Sequence, residues 1–325
     1  MVQDDALPWD RAWQQALYGK TGFYRRPEGP GGHFATSAQG IPQGTEMLAQ
    51  VVVGLARRHG LQHVVDVGAG RGELAAEVAR QEPHLRVTAV DVVPRPGSLP
   101  AEVAWQVSPG GSALPAGLAG LTGSLVLAHE WLDVVPCPVV QRDQHGVWRV
   151  VAVGRSGNER LTHEPDEEQQ HWLHRWSTDH VLRAEIGTPR DRAWTDLCSR
   201  VDQGLVVAVD YGHTAGGRPT EGTLTAYRQG RQVRPVPDGS CDLTAHVAVD
   251  SLAAGTPGSR LRRQGDLLDD VLGPADAVPH GLARTEPTAY LHRLAQQAAR
   301  RVLSAPGGLG DFWWVQLPRG ATVGP

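Results

Sequence analysis

His63-Val64-Val65-Asp66-Val67-Gly68-Ala69-Gly70-Arg71-Gly72-Glu73-Leu74 is the stretch on which the fold turns. A short apolar run, His63 to Val67, enters a loop with glycine at 68, 70 and 72. Leu74, Ala75, Val78 and Ala79 then recur at helical spacing, and Arg86 to Val93 reads as a second strand. Strand, tight loop, helix and strand in that order predict a parallel α/β sheet, because a parallel return needs a crossover and a helix supplies it. Glycine in the loop removes a Cβ at each position and lets the backbone approach a ligand closely.

The flanking sequence extends the pattern. Upstream, Trp9, Trp13 and Leu17 recur at helical spacing and stop before Gly19. A loop rich in Gly and Pro runs from Gly22 to Gly44, and Met47, Leu48, Val51, Val52 and Leu55 form the apolar stripe of a second helix. Arg57, Arg58 and His59 suit its negative end, and Gly60 can terminate it. Downstream, Val103 to Val107 and Ser124 to Ala128 read as the third and fourth strands. Val139-Val140 and Val147 to Val153 flank a turn at Asp143 to Gly146, which predicts a hairpin. Two helices should follow, the second with Thr188 as N-cap, Pro189 in its first position and a stripe of Trp194, Leu197, Cys198 and Val201. Leu205 to Val209 is fit for a buried parallel strand, Thr285 to Leu303 for a helix and Asp311 to Leu317 for a last strand. One domain results, with an N-terminal helical extension and covering loop over 1–60 and a main body over 61–325 carrying an insertion at about 137–203.

Composition excludes several classes. The 325 residues are 40% hydrophobic and 20% charged, enough for a substantial core. A net charge of -4 and a pI near 6.4 give no general attraction to nucleic acid or an anionic membrane. Lys20 is the sole lysine, which fits the codon bias of a GC-rich bacterial gene and leaves the arginines needing no phosphate partner. No apolar run approaches the roughly 18 residues of a membrane span, and Met1 to Trp9 lacks the pattern of a signal peptide. Cys137, Cys198 and Cys241 are far apart, which suits a reduced cytoplasmic compartment.

The chemistry begins at the glycine loop. Its spacing is G-x-G-x-G, and Glu73 stands where a dinucleotide fingerprint has Gly or Ala. A carboxylate there would compete with a pyrophosphate for the positive end of the helix. S-adenosylmethionine has no phosphate and carries a sulfonium, so acidic neighbours such as Asp66 favour it. Asp91 lies 19 residues past Gly72 at a strand end, where it can accept hydrogen bonds from both hydroxyls of an adenosine ribose. It could equally be an N-cap or a surface residue. After the fourth strand comes His129-Glu130-Trp131-Leu132-Asp133-Val134-Val135-Pro136. If the chain turns helical there, Glu130 and Asp133 share a face beside the methyl donor. Alternatively, Asp133 caps a turn and Glu130 is solvated.

These residues together resemble the MidA family of methyltransferases, whose mitochondrial member is an assembly factor of respiratory complex I and methylates a protein arginine. The resemblance runs through Gly22-Phe23-Tyr24, Gly32-His33-Phe34-Ala35-Thr36-Ser37, Asp66 to Gly72 and His129 to Pro136. It continues in Val209-Asp210-Tyr211-Gly212, Gly222 to Arg228, Asp242-Leu243-Thr244-Ala245-His246-Val247 and Gly307 to Phe312. It implies a class I methyltransferase, a Rossmann-like, seven-stranded, mostly parallel sheet with the insertion after the fourth strand. It implies S-adenosyl-L-methionine held by Asp66, Gly68, Ala69, Gly70, Gly72, Asp91, Val92 and His129. Glu130, Asp133, Asp210 and Tyr211 would be catalytic, and His33, Tyr227, Asp242, Thr244 and His246 would shape the substrate pocket. The chain departs from the family at His129, usually Asn, at His33, often Asp, and at Gly230, commonly His.

Other candidates carry less. His171 and His174 sit three apart on a predicted helix but lack a third ligand, so no metal is expected. His213 could be a general base or plainly solvated, and no nucleophile elbow points to hydrolysis. Three functions therefore stand open: methylation of a protein arginine, methylation of a small molecule on oxygen or nitrogen, and a non-catalytic assembly protein. The expected partners are a protein or small-molecule methyl acceptor, with a homodimer as a further possibility, and neither nucleic acid nor membrane. An acidic cleft before Glu130 would favour the arginine, and a closed apolar chamber the small molecule.

Overall fold

In the computed structural model, residues 6–26, 40–274 and 277–320 are described. Seven strands form the central sheet: β1 (His63–Val67), β2 (Arg86–Asp91), β3 (Val103–Val107), β4 (Ser124–His129), β5 (Gly204–Asp210), β6 (Arg260–Arg263) and β7 (Trp313–Arg319). Their order is β3-β2-β1-β4-β5-β7-β6. β1 to β5 pair in parallel, while β7 runs antiparallel to both β5 and β6. The order reverses between β1 and β4, which opens a crevice at their C-terminal ends. Val67 pairs with Val90 on one side and Ala128 on the other. The chain therefore leaves β1, β2 and β4 side by side at that crevice.

Alternation along each buried strand sends residues to two cores. Val64, Val87, Leu125, Leu205 and Val207 face one core, closed by α2 (Gly44–Arg58), α3 (Glu73–Gln81) and the C-terminal helices. Val65, Val90, Val126 and Val206 face the other, with Trp194 and Leu197 of the helix Thr188–Ser199. Between β4 and β5 the hairpin Val139–Arg142 and Trp148–Val153 forms as expected and joins Glu159–Leu161, Arg183–Glu185 and Leu7–Pro8 in an antiparallel sheet. A third sheet pairs Thr225–Arg228 with Arg231–Val233 and Asp242–Thr244. The first helix, α1 (Trp9–Tyr18), packs Trp9, Trp13 and Leu17 against Val139, Val151, Ala226 and Leu243. Trp13 Nε1 donates to Leu243 O at 3.1 Å and Trp9 Nε1 to Glu159 Oε1 at 2.6 Å, so α1 pins both small sheets.

Several boundaries differ from expectation, each for a local reason. β2 stops at Asp91, because its Oδ1 captures the N–H groups of Val92 and Val93 that would have extended the ladder. The predicted helix over 285–303 is two, Leu282–Thr285 and Pro287–Leu303, broken where Glu286 (φ -142, ψ 69) precedes proline. Thr188 is inside its helix and Gly187 occupies the cap. Leu309–Asp311 winds as a 3-10 turn, so β7 starts at Trp313. No helix among the described residues is long and apolar enough to cross a membrane.

Trp13 has no exposed surface. Trp13→Ala should cost about 3–5 kcal/mol in urea denaturation, the scale of emptying a large buried aromatic site. A loss below about 1 kcal/mol would mean that α1 does not help hold the small sheets together.

Candidate active site

The glycine loop is fastened to β2. The N–H groups of Gly68 and Ala69 donate to Val90 O at 2.9 and 3.1 Å, and Gly70 N–H donates to Asp91 Oδ2 at 2.8 Å. Gly68 and Gly70 take φ of 74° and 62°, a left-handed backbone that favours glycine. At Gly68 a Cβ would also press to 3.2 Å on Trp131. Gly72 serves differently. It caps α3 at φ 83°, and a Cβ there would lie 2.6 Å from Leu99 Cδ1, so its role is in packing, away from the cavity wall.

In front of the loop lies a cavity of about 1100 Å³, open solvent included. Asp66, Gly68, Ala69, Gly70, Asp91, Val92 and His129 all line it, as expected of a cofactor site. Its walls also carry Glu73, Glu130, Asp133 and Asp242. None of Asp66, Asp91, Asp133 or Asp242 forms an ion pair with an arginine or lysine among the described residues. Asp66 Oδ2 and Asp133 Oδ1 are buried with no hydrogen-bond partner. Burial, with Asp91 and Glu73 nearby, raises the Asp66 carboxyl to about 7. Burial raises Asp91 to about 6 against the pull of its three backbone N–H partners. Burial also lifts Asp242 well above the usual carboxylate range. His129 is pushed down to about 4 by burial, so at neutral pH it is uncharged despite lying 3.8 Å from Glu130 Oε1. Such a cavity favours a cation.

The far wall is built from the segment after β4, which does not turn helical. Glu130 adopts φ 51° and donates its N–H to Val209 O at 2.8 Å, extending the β4–β5 ladder by one residue. Leu132 N–H goes to Asp210 Oδ2 at 3.1 Å, and Asp133 O accepts from Ala245 N–H. With these backbone groups engaged elsewhere, a bend replaces the helix, yet Glu130 and Asp133 still both reach the cavity. Tyr211 Oη and Thr244 Oγ1 each donate to Asp133 Oδ2 at 2.7 Å and lie in close contact with one another. One oxygen of Asp133 is thus fixed while the other stays open.

Five expected site residues do not line the cavity. Asp210 lies beneath the bend, outside the cavity lining, with its carboxyl raised far above the usual range by burial and then by Asp133 and Glu130. Tyr211 and Thr244 touch Asp133 and do not line the cavity. His246 packs its ring 5.0 Å from that of Tyr211, also outside it. Tyr227 pairs with Asp242 across a strand ladder and likewise does not reach the cavity. His33 lies outside the described residues. His213 is neither solvated nor at the cavity: burial and Arg218 push it down to about 3. His171 and His174 are exposed, and no group of His, Cys, Asp and Glu suited to a metal occurs among the described residues. Sequence reasoning missed Tyr18 and Tyr24, which line the cavity with rings stacked 5.5 Å apart. Tyr24 Oη donates to Asp242 Oδ1 at 2.8 Å, and the only sequence signal was the Gly22-Phe23-Tyr24 motif. It also missed Arg190, taken up below.

A family model described as "Putative S-adenosyl-L-methionine-dependent methyltransferase" matches residues 46–265. The chain belongs to that family. A crystal structure from Burkholderia thailandensis, bound to S-adenosyl-homocysteine, superposes with a TM-score of 0.73 at 22% identity, covering 98% of this chain and 89% of that one. A second B. thailandensis crystal structure gives 0.72 at 21% identity with the same coverage. Both likenesses are of fold. A release factor glutamine methyltransferase of Koribacter versatilis is 36% identical over 98 residues, 29% of this chain. The chain spans about a third of that relative's length, 35%.

The raised carboxyls give a pH dependence of known sign. Between an ordinary Asp pKa of 3.8 and the folded value of about 7, native Asp66 holds a proton that the unfolded chain has released. Its contribution to stability therefore falls as pH rises through that window and is fully unfavourable above it. Raising the pH from about 5 to about 8 should lower the melting temperature of the ligand-free protein more than that of Asp66→Asn. Equal pH dependence in the two proteins would contradict a raised Asp66.

Proposed function

We propose that the protein transfers the methyl group of S-adenosylmethionine to a side-chain nitrogen of an arginine on another protein, as the MidA-like resemblance implies. The observation that carries this reading is the open oxygen of Asp133. Asp133 Oδ1 is buried and unpartnered at the cavity wall, beside Glu130, while Oδ2 is held by two hydroxyls. A guanidinium arrives charged, since its pKa exceeds about 12, and it presents planar N–H groups that match carboxylate oxygens. Glu130 and Asp133 would accept those N–H groups, orient the attacking nitrogen and localise the charge on the far side of the group. Burial of Asp133 keeps water from competing for the same oxygen.

The cofactor fits the residues present. Gly68 and Gly70 line the cavity with a left-handed backbone that favours glycine, Asp91 offers lone pairs to ribose hydroxyls, and Asp66 Oδ2, without a hydrogen-bond partner among the described residues, can accept from the amino group. When bound, S-adenosylmethionine supplies a methyl group activated by a sulfonium. Neutral His129 and carboxylates Asp66, Asp91 and Glu130 set a field that favours that positive charge. In this reading residues 61–325 form the methyltransferase body, carrying the insertion at 137–203, and Tyr18 and Tyr24 of the 1–60 extension supply the acceptor wall with Asp242. The three buried thiols, none in a disulfide, support a reducing compartment such as the cytoplasm.

Asp91→Ala should weaken S-adenosylmethionine binding at least about tenfold by calorimetry, since each charge-assisted hydrogen bond lost is worth about 1.5–3 kcal/mol. Unchanged affinity in a folded variant would remove Asp91 from the ribose site. Asp133→Asn keeps the contacts to Tyr211 and Thr244 but removes the charge. It should lower turnover on arginine peptides about a hundredfold with little change in cofactor affinity. Full activity of Asp133→Asn, or transfer only to small acids or alcohols in a parallel screen, would rule out the arginine reading.

A further inference from the structure

Arg190 is 2% exposed and lies in the first turn of the helix Thr188–Ser199, within the insertion between β4 and β5. Among the described residues its guanidinium makes no ion pair, and all its hydrogen bonds run to backbone carbonyls. Nε donates to Val135 O at 3.2 Å, and Nη2 to Asp133 O at 2.6 Å. Nη1 donates to Ala245 O at 3.1 Å and His246 O at 2.7 Å. Two of the four carbonyls belong to the bend after β4, and two to the segment that carries Thr244. The plane also lies 5.7 Å from the Trp13 ring, which ties the clamp to α1.

We propose that Arg190 is a positioning residue that locks the Glu130–Val135 bend to the Thr244–His246 segment. A buried cation without a carboxylate at contact distance is costly and persists only where its donors are satisfied and negative charge lies near. Carbonyls satisfy the donors here, and their dipoles supply the partial negative charge. The guanidinium fork suits the task because it reaches four carbonyls in two directions, whereas a lysine has three donors on one atom. Asp133 is thereby held twice, at its backbone by Arg190 and Ala245 and at its side chain by Tyr211 and Thr244. The direction of its open oxygen depends on both.

The turnover part of this proposal rests on the methyl-transfer reading; the clamp does not, and the test separates them. Arg190→Lys and Arg190→Met are compared with wild type by amide hydrogen exchange, by calorimetry with S-adenosylmethionine, and by kinetics on arginine peptides. Exchange should rise roughly tenfold or more in residues 130–135 and 242–247 together, while 66–72 stay protected. Cofactor affinity should stay within about twofold, and the kcat of Arg190→Met should fall about a hundredfold with a smaller change in KM. Exchange rising everywhere with cofactor affinity falling in step would reduce Arg190 to general stability and overturn the proposal. So would wild-type turnover in Arg190→Met. Should Arg190→Met fail to fold, Arg190→Lys decides: wild-type exchange and turnover in it overturn the clamp, and selective loosening supports it. If wild type methylates no arginine peptide, the methyl-transfer reading fails while the exchange pattern still judges the clamp.

Discussion

A cluster of carboxylates is kept in a buried cavity, none of Asp66, Asp91, Asp133 and Asp242 ion-paired with an arginine or lysine among the described residues, and the rest of the site is arranged around that fact. Desolvation penalises each ionised form, and each carboxylate raises its neighbours further. The protein tolerates this only because backbone amides and hydroxyls hold the groups in place. Asp91 has Gly70, Val92 and Val93, Asp242 has Tyr24, Asp133 has Tyr211 and Thr244, and Asp210 has Leu132. Asp66 Oδ2 and Asp133 Oδ1 have no hydrogen-bond partner among the described residues. A site that stores unfavourable electrostatics in this way releases them when a positively charged ligand enters.

The sheet decides where the cluster can form. Reversal of strand order between β1 and β4 places the exits of β1, β2 and β4 together, so Asp66, Asp91 and Glu130 converge although they come from three crossovers. The opposite wall cannot come from the sheet. It is assembled from α1, the segment after Gly19 and the Asp242–Thr244 strand, joined by Trp13 and by the Tyr24–Asp242 hydrogen bond. Separate parts of the chain thus supply the two walls of the cavity, and Asp133 stands where they meet.

Local features were legible in the sequence and long-range ones were not. The strand, glycine loop and helix over 63–81 follow from neighbours in sequence, and the structure forms each of them. Gly72 was legible as a required glycine, but not as one required by Leu99 rather than by a ligand. The bend at Glu130 defeats a helical reading because its backbone partners, Val209 O, Asp210 and Arg190, lie far along the chain. Asp133 meets Tyr211 and Thr244 at separations of 78 and 111 residues, and Tyr24 meets Asp242 at 218. No periodicity encodes such pairs. Short strands such as Glu159–Leu161 and Arg183–Glu185 escaped for a related reason: three residues show no alternation to read, and pairing with the Val139–Val153 hairpin makes them strands.

A cavity lined by raised carboxyls should exchange protons for a cation, and proton linkage measures that exchange. Titration calorimetry near pH 6.5, repeated in buffers of different ionisation enthalpy, counts the protons displaced when a ligand binds. With Asp66 raised to about 7 and Asp91 to about 6, both are partly protonated there in the free protein. Binding of S-adenosylmethionine, whose sulfonium and ammonium favour the ionised carboxylates, should release protons. Its uncharged-sulfur product should bind with a smaller release, and NAD should bind more weakly than either. Proton uptake on binding S-adenosylmethionine, or a preference for NAD, would contradict the account.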